Sequence, residues 1–199
     1  MDATVFWRWI DLTAADVARE AARLTELDSA IGDADHGSNL SRGFAAALDA
    51  VRREHPDTPG AVLTLAGQTL VSSVGGASGP LYGTLLRRTG KTLGEAPEVG
   101  LGELAAALGA GVEAVARLGG AAAGDKTMLD ALLPAVEALP QGPDTAARAA
   151  AEGARATVPM RARKGRASYL GERSVGHEDP GAASSALLLA ALARAVRDE

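Results

Sequence analysis

The sequence predicts an all-α fold, in which eight helices are separated by glycine-rich polar loops. Hydrophobic residues make up 47% of the 199 residues, whereas aromatic residues make up only 3%. Alanine and leucine supply most of the hydrophobic content, which suits close helix packing better than a β-sheet. Apolar residues also recur at helical spacing, as at Leu40, Phe44, Ala47 and Val51. The length predicts a single domain over residues 1–199.

The predicted helices follow one another along the whole chain. The first helix could be interrupted at residues 11–13, and Pro134 predicts a kink in the sixth helix. Residues 90–100 are predicted to form a polar linker. The eight expected helices cover about residues 6–27, 39–54, 61–74, 81–88, 101–118, 128–139, 144–157 and 182–197.

Composition and charge exclude several classes of protein. The formal net charge of −5 argues against nucleic-acid binding, and the absence of cysteine excludes disulfides and thiolate metal sites. The first residues lack the basic and apolar pattern of a secretory signal, and the longest apolar run, residues 186–193, is too short to span a bilayer. A cytoplasmic protein without membrane partners is therefore expected.

The segment from Leu27 to Asn39 carries the strongest chemical signal. It places Asp28, Asp33 and Asp35 at positions i, i+5 and i+7, beside the C-terminus of the first helix. The helix dipole and mutual repulsion both disfavour these charges, so cations would stabilise them. Carboxylate oxygens suit Mg²⁺ or Ca²⁺. A solvated turn is the alternative for an Asp/Gly loop, and the EF-hand calcium pattern fails because its terminal Glu is missing.

Three further loops have features of an anion site. Residues 75–80 place small residues before a helix that has Pro80 in its first turn, so backbone N–H groups are accessible there. Residues 119–127 resemble a Walker A loop, but the required Gly-Lys pair is absent and no strand precedes them, which excludes a P-loop nucleotide site. Residues 161–181 contain five basic residues between positions 161 and 173.

The four polar loops are each separated by two helices. In an up-and-down antiparallel bundle, alternate loops lie at the same end. The aspartates, several helix N-termini and the basic loop are therefore expected to meet at one site. A metal-bound polyphosphate is the ligand that such a site would bind.

The chain resembles the nucleotide-binding domain of dihydroxyacetone kinases, and in particular the separate L subunit of the phosphoenolpyruvate-dependent enzymes. The resemblance covers essentially the whole chain in order. It rests on four motifs, at residues 27–37, 73–84, 124–128 and 163–181.

The resemblance implies a barrel of eight antiparallel amphipathic helices that holds ADP or ATP and two Mg²⁺ ions in loops at one end. By motif position, Asp28, Asp33 and Asp35 would ligate the metals. The implied nucleotide contacts are His36, Gly37, Ser38, Asn39, Ala77, Ser78, Gly119, Met128, Arg166, Asp179, Pro180 and Gly181.

The resemblance also implies partners for the reaction. A phosphohistidine protein of the phosphotransferase type, the M-type subunit, would rephosphorylate ADP in place. The phosphoryl group would pass to dihydroxyacetone that a K subunit holds, and general acid and base groups would belong to that subunit rather than to this chain.

Two other functions remain open at this point. One is an ATP-exchanging kinase domain for another triose or tetrose, or the nucleotide domain of fatty acid kinase. The other is a regulatory ADP-binding protein that docks on a transcription factor.

Overall fold

The all-α class is confirmed by the structure, a computed structural model that describes residues 1–197. The described residues form eight α-helices and two short 3₁₀ segments, Leu139–Gln141 and Arg166–Ser174. The α-helices are α1 (Ala3–Ile31), α2 (His36–Glu54), α3 (Pro59–Ser73), α4 (Ser78–Leu93), α5 (Leu101–Gly119), α6 (Leu129–Ala138), α7 (Pro143–Ala156) and α8 (Pro180–Arg197).

Two helices, α1 and α4, extend furthest beyond their predicted bounds. α1 continues through residues 11–13 without a break. Within it, Thr13 is buried and donates its hydroxyl to the Trp9 carbonyl oxygen at 2.7 Å, so its polar group is satisfied inside the helix. α4 extends past the expected end at Arg88 to Leu93.

Glycine explains why α4 continues. A Cβ at Gly90 would lie 2.5 Å from the Gly60 carbonyl oxygen, so the two helix backbones come close together there. A Cβ at Gly67 of α3 would likewise lie 2.8 Å from the Gly83 carbonyl oxygen of α4. Gly90, which the sequence analysis placed in a linker, thus serves close helix packing instead.

Each helix packs against the next one in the chain, and α8 packs against α1, so the contacts close into a ring. One hydrophobic cluster runs through this ring, from Val5 to Ala195. Its largest side chains include Trp9, Phe44 and Tyr82, all fully buried. The Trp9 indole Nε1 also donates to the Leu188 carbonyl oxygen at 2.8 Å, which links α1 to α8.

None of the helices within residues 1–197 combines the length and the hydrophobicity that crossing a membrane would require.

Candidate nucleotide and metal site

The four polar loops meet at one cavity of about 490 Å³. Its wall contains residues from the aspartate loop, from the start of α4, from the segment between α5 and α6, and from residues 164–167 and 179–181. The expectation that alternate loops lie at the same end is therefore confirmed.

Asp28 fixes the shape of the aspartate loop. Its carboxylate is almost buried in the last turn of α1, and its Oδ2 accepts hydrogen bonds from the backbone N–H groups of Asp35 at 2.9 Å and His36 at 3.2 Å. A Cβ on Gly32 would lie 2.0 Å from Asp28 Oδ1, so glycine is needed there. The loop is thus folded back onto the helix that precedes it.

This fold brings the three predicted carboxylates together. One oxygen each from Asp28, Asp33 and Asp35 lies within 4.8 Å of the other two. Asp28 is buried, Asp35 is half-buried and Asp33 is exposed. Such a set of hard oxygen donors, open on one side, fits a divalent cation that also contacts phosphate. Arg166 Nη2 lies 2.9 Å from Asp33 Oδ2, so the guanidinium partly neutralises the charge of that carboxylate.

Positive electrostatic potential in the cavity, opposite in sign to that of the aspartates, comes from the N-termini of helices. α2 begins at His36, α4 begins at Ser78 and α8 begins at Pro180, and all three residues line the cavity. Free N–H groups and the positive end of the helix dipole favour an anion at such a position. Lys164 and Arg166 add positive charge to the same wall.

His36 joins these helix ends. Its Nδ1 lies 3.0 Å from the Ser78 hydroxyl and its Nε2 lies 2.9 Å from the Ser184 hydroxyl. Burial lowers the pKa of His36, although the charges of Asp28 and Asp35 act in the opposite direction. The imidazole is therefore a buried bridge rather than an exposed cation.

An apolar surface completes the wall. Ile31, Val115, Leu118 and Leu129 line it beside the predicted Met128. The first four could not be identified as site residues from the sequence, because each occupies an apolar position at or near a helix end, where core packing is the ordinary expectation. A flat apolar group could be covered by this surface.

Lys126 has a structural role in the cavity wall. Its side chain is 1% exposed, and Nζ donates to the carbonyl oxygens of Thr157 at 2.7 Å and His177 at 2.5 Å. Its burial lowers its pKa. The ammonium group thus holds the segment before α8 in place. In a P-loop, by contrast, the lysine would contact the phosphates of the ligand.

Asp179 is a second buried ionisable group at the cavity wall. Its Oδ2 accepts the backbone N–H of Ala182 at 2.7 Å, which caps the first turn of α8. Burial raises the pKa of Asp179 to about 7, although this hydrogen bond and the charge of Lys126 lower it.

Three of the predicted nucleotide contacts lie outside the cavity wall. A Cβ on Gly37 would lie 1.9 Å from the Ala21 carbonyl oxygen, so this glycine allows α2 to pack against α1. The exposed Ser38 hydroxyl donates to the Asp35 carbonyl oxygen at 3.0 Å, and Asn39 Oδ1 accepts from Arg42 at 2.7 Å. These side chains serve local structure in the first turns of α2.

The remaining predicted residues do line the cavity. They are Asp28, Asp33, Asp35, His36, Ala77, Ser78, Gly119, Met128, Arg166, Asp179, Pro180 and Gly181.

Several known proteins are similar to this chain in sequence. The ADP-binding subunit DhaL of the PEP-dependent dihydroxyacetone kinase of Escherichia coli K12 is 39% identical over 208 residues, which cover 100% of this chain and 99% of that protein. The L-erythrulose 1-kinase of Mycolicibacterium smegmatis is 43% identical over 187 residues, which cover 88% of this chain and 32% of that protein.

A solved structure is similar to this chain in fold as well. The crystal structure of the dihydroxyacetone kinase from C. freundii in complex with AMP-PNP and Mg²⁺ matches with a TM-score of 0.78 and 28% identity, over 98% of this chain and 34% of that chain. A family model described as the DAK2 domain matches residues 30–194. The chain therefore belongs to the DAK2 domain family.

Proposed function

We propose that this chain, as a single domain over residues 1–199, is the ADP-binding subunit of a phosphoenolpyruvate-dependent dihydroxyacetone kinase. The observation that carries the proposal is the cavity in which a three-carboxylate cluster faces the N-termini of α2, α4 and α8. A cation site beside several anion sites fits a metal-bound nucleotide phosphate. The E. coli relative with that name matches this chain over nearly its whole length.

In this proposal the aspartates hold two Mg²⁺ ions. The ligands would be Asp28, Asp33 and Asp35, whose oxygens already lie within 4.8 Å of one another. When bound, magnesium neutralises phosphate charge that develops during phosphoryl transfer. The work of the chain itself is to hold and orient the nucleotide and to exclude water from it.

The nucleotide would lie with its phosphates toward the helix N-termini. Ala77 and Ser78 would contact the phosphates from the start of α4, and the first turn of α2, with His36, Gly37, Ser38 and Asn39, would contribute from the other side. The adenine and ribose would lie against the apolar part of the wall, between Gly119 and Met128. Arg166 and residues 179–181 would close the site.

The reaction needs two partners, each of which must reach this end of the molecule. A phosphohistidine protein of the phosphotransferase type would supply the phosphoryl group, and a K-type subunit would hold the dihydroxyacetone that receives it. Two large apolar side chains are exposed close to the cavity, Leu118 in its wall and Tyr169 two residues beyond Ala167. Apolar groups at the rim are typical of protein-binding surfaces. All of this would take place in the cytoplasm.

Heat denaturation of the purified protein tests the proposal. We expect near-stoichiometric ADP and magnesium to be released, even after long dialysis, because the nucleotide is kept as a cofactor. With dihydroxyacetone and ATP alone, the isolated chain should show no kinase activity. A site that exchanges ATP freely and turns over dihydroxyacetone without partners would contradict the subunit assignment.

A second candidate, an ATP-exchanging kinase domain for a tetrose, rests on the 43% identity with the L-erythrulose 1-kinase of M. smegmatis, of which this chain spans only 32%. The DhaL subunits of Listeria innocua are equally identical to this chain, which covers 92% and 93% of their length. The same experiment separates the two functions, since free ATP exchange would support the tetrose kinase.

Replacing Arg166 by glutamine should change two affinities in opposite directions. Without nucleotide, Arg166 competes with a cation for Asp33, so the variant should bind Mg²⁺ up to about fivefold more tightly, the range of an exposed ion pair. With nucleotide, the lost guanidinium should weaken magnesium-ADP binding. Calorimetric titration of both ligands measures this, with Arg161→Gln, which loses its 3.0 Å pair with Glu172, as the control. Parallel changes in both affinities would contradict this role of Arg166.

A further inference from the structure

Polar groups in and behind the cavity wall form a continuous series of hydrogen bonds. Tyr82 Oη lies 2.6 Å from Ser184 Oγ, Ser184 Oγ lies 2.9 Å from His36 Nε2, and His36 Nδ1 lies 3.0 Å from Ser78 Oγ. Tyr82 and Ser184 are 1% and 2% exposed, and His36 is 8% exposed. Ser78 is half-buried, and Tyr82, His36 and Ser78 all belong to the cavity wall, whereas Ser184 lies behind it. The series therefore runs along the wall from a fully buried hydroxyl to a partly exposed one.

The series also connects three helices. His36 is the first residue of α2, Ser78 is the first residue of α4, and Ser184 lies in the first turns of α8. Ser78 and Ser184 lie 42 and 148 residues from His36 in the sequence. A single imidazole thus sets the position of the Ser78 hydroxyl relative to the other two helix ends.

The ligand determines where the hydrogens of the series lie. Phosphate oxygens accept hydrogen bonds, so a Ser78 hydroxyl that contacts a phosphate must donate its only hydrogen to it. Ser78 Oγ can then only accept from His36, which requires the hydrogen of a neutral imidazole to be on Nδ1. Nε2 must in turn accept from the Ser184 hydroxyl.

The hydroxyl groups of Ser184 and Tyr82 can donate the hydrogen bonds that this arrangement requires. The Ser184 hydroxyl also lies 2.9 Å from the Pro180 carbonyl oxygen, but it has only one hydrogen to give. When that hydrogen points to His36, Ser184 Oγ accepts from Tyr82. Burial raises the pKa of Tyr82 to about 12, so its hydroxyl stays protonated and able to donate.

We propose that Tyr82, Ser184 and His36 are positioning residues that direct the Ser78 hydroxyl as a hydrogen-bond donor to a nucleotide phosphate. All four hydrogens point the same way, from Tyr82 to Ser184, to His36 Nε2, and from Nδ1 to Ser78 and the phosphate. Bonds aligned in this manner polarise one another in a buried environment. The inference rests on the proposed nucleotide function and adds to it the residues that determine phosphate recognition.

A double-mutant cycle on magnesium-ADP binding tests the proposal. Ser78→Ala should weaken ADP binding by about tenfold or more, as expected for a lost hydrogen bond to a charged group. Ser184→Ala should weaken it by about threefold to tenfold, because the series is interrupted. In the Ser78→Ala background, Ser184→Ala should have little further effect, because Ser184 does not line the cavity and is connected to the phosphate through His36 and Ser78. Adenosine, which lacks phosphate, should bind equally to all variants.

Ser185→Ala is the matched control. Ser185 Oγ lies 3.0 Å from Tyr82 Oη, but it does not touch His36 or line the cavity, so ADP affinity should stay within about twofold of the original protein. The ¹⁵N spectrum of the His36 ring gives a second readout. With magnesium-ADP bound, the hydrogen should be on Nδ1, and a His36→Gln variant identifies the signal.

The outcomes separate this inference from the function on which it rests. Additive effects of the two serine substitutions, or a hydrogen on Nε2 in the ADP complex, would overturn the directed series while leaving ADP binding intact. Failure of the original protein to bind magnesium-ADP at all would instead overturn the proposed function.

Discussion

Replacing Asp28 by alanine is expected to abolish the retention of magnesium-ADP and to destabilise the fold at the same time. This carboxylate offers an oxygen to the proposed metal cluster, and its Oδ2 accepts the N–H groups of Asp35 and His36. Loss of the ligand should weaken magnesium-dependent ADP binding by about 100-fold or more, because changes even outside the ligand set cost 10- to 100-fold. The two N–H groups would lose their partner, at a cost of about 1–3 kcal/mol for each that stays buried.

Two matched variants separate the effects. Asp28→Asn keeps an oxygen acceptor for the two N–H groups but removes the charge, so it should lose ADP and retain most of the stability. Asp33→Ala removes an exposed ligand that makes no such backbone contacts, and should therefore lose ADP without a fall in the Tm of the nucleotide-free protein. All Tm values are compared without nucleotide, because bound ADP itself stabilises the fold. Calorimetry and thermal denaturation measure both quantities. Full ADP occupancy in Asp33→Ala and Asp28→Asn would contradict the metal assignment.

The clustering of the aspartates could be predicted because its determinants are local. Asp28, Asp33 and Asp35 lie within eight residues of one another, at a helix end that the apolar periodicity locates. The convergence of the four loops followed from counting helices, since alternate loops of an antiparallel bundle share an end. Both arguments need only the order of elements and no knowledge of side-chain packing.

The roles of His36 and Lys126 could not be predicted in this way. The hydrogen-bond partners of Lys126 are carbonyl oxygens 31 and 51 residues away, which carry no side-chain signal in the sequence. The partners of His36 are ordinary serines on two other helices. Such contacts depend on which helix faces meet, and periodicity defines those faces only approximately.

Glycines were the most ambiguous residues. Gly90 suggested a linker and instead allows close packing of α4 on α3, because a missing side chain serves a turn and a tight helix contact equally well. The resemblance places Gly37 at the nucleotide, and the structure shows that it also lies in close contact with α1, so its role in packing can be tested.

Replacing Gly37 by alanine should destabilise the protein strongly. The new Cβ would lie 1.9 Å from the Ala21 carbonyl oxygen and 2.6 Å from Thr25 Oγ1, so α2 would have to move away from α1. Overpacking of this kind costs about 1–3 kcal/mol. In a domain of this size each kcal/mol lowers Tm by about 2–4 °C, which thermal denaturation readily detects.

Gly102→Ala is the matched control for this prediction. Gly102 is the second residue of α5, as Gly37 is the second residue of α2, but a Cβ there would meet no atom within 4 Å. This variant should be as stable as the original protein, or up to about 1 kcal/mol more stable, because alanine favours a helix over glycine.

The effect of Gly37→Ala on ADP separates packing from direct recognition. If the glycine acts through packing, the loss of ADP affinity should accompany the loss of stability, because a displaced α2 carries Asp35 and His36 with it. Unchanged stability together with lost ADP binding would mean that α1 and α2 can yield to the added Cβ. Gly37 would then be needed for close approach of the nucleotide itself, as its motif position implies.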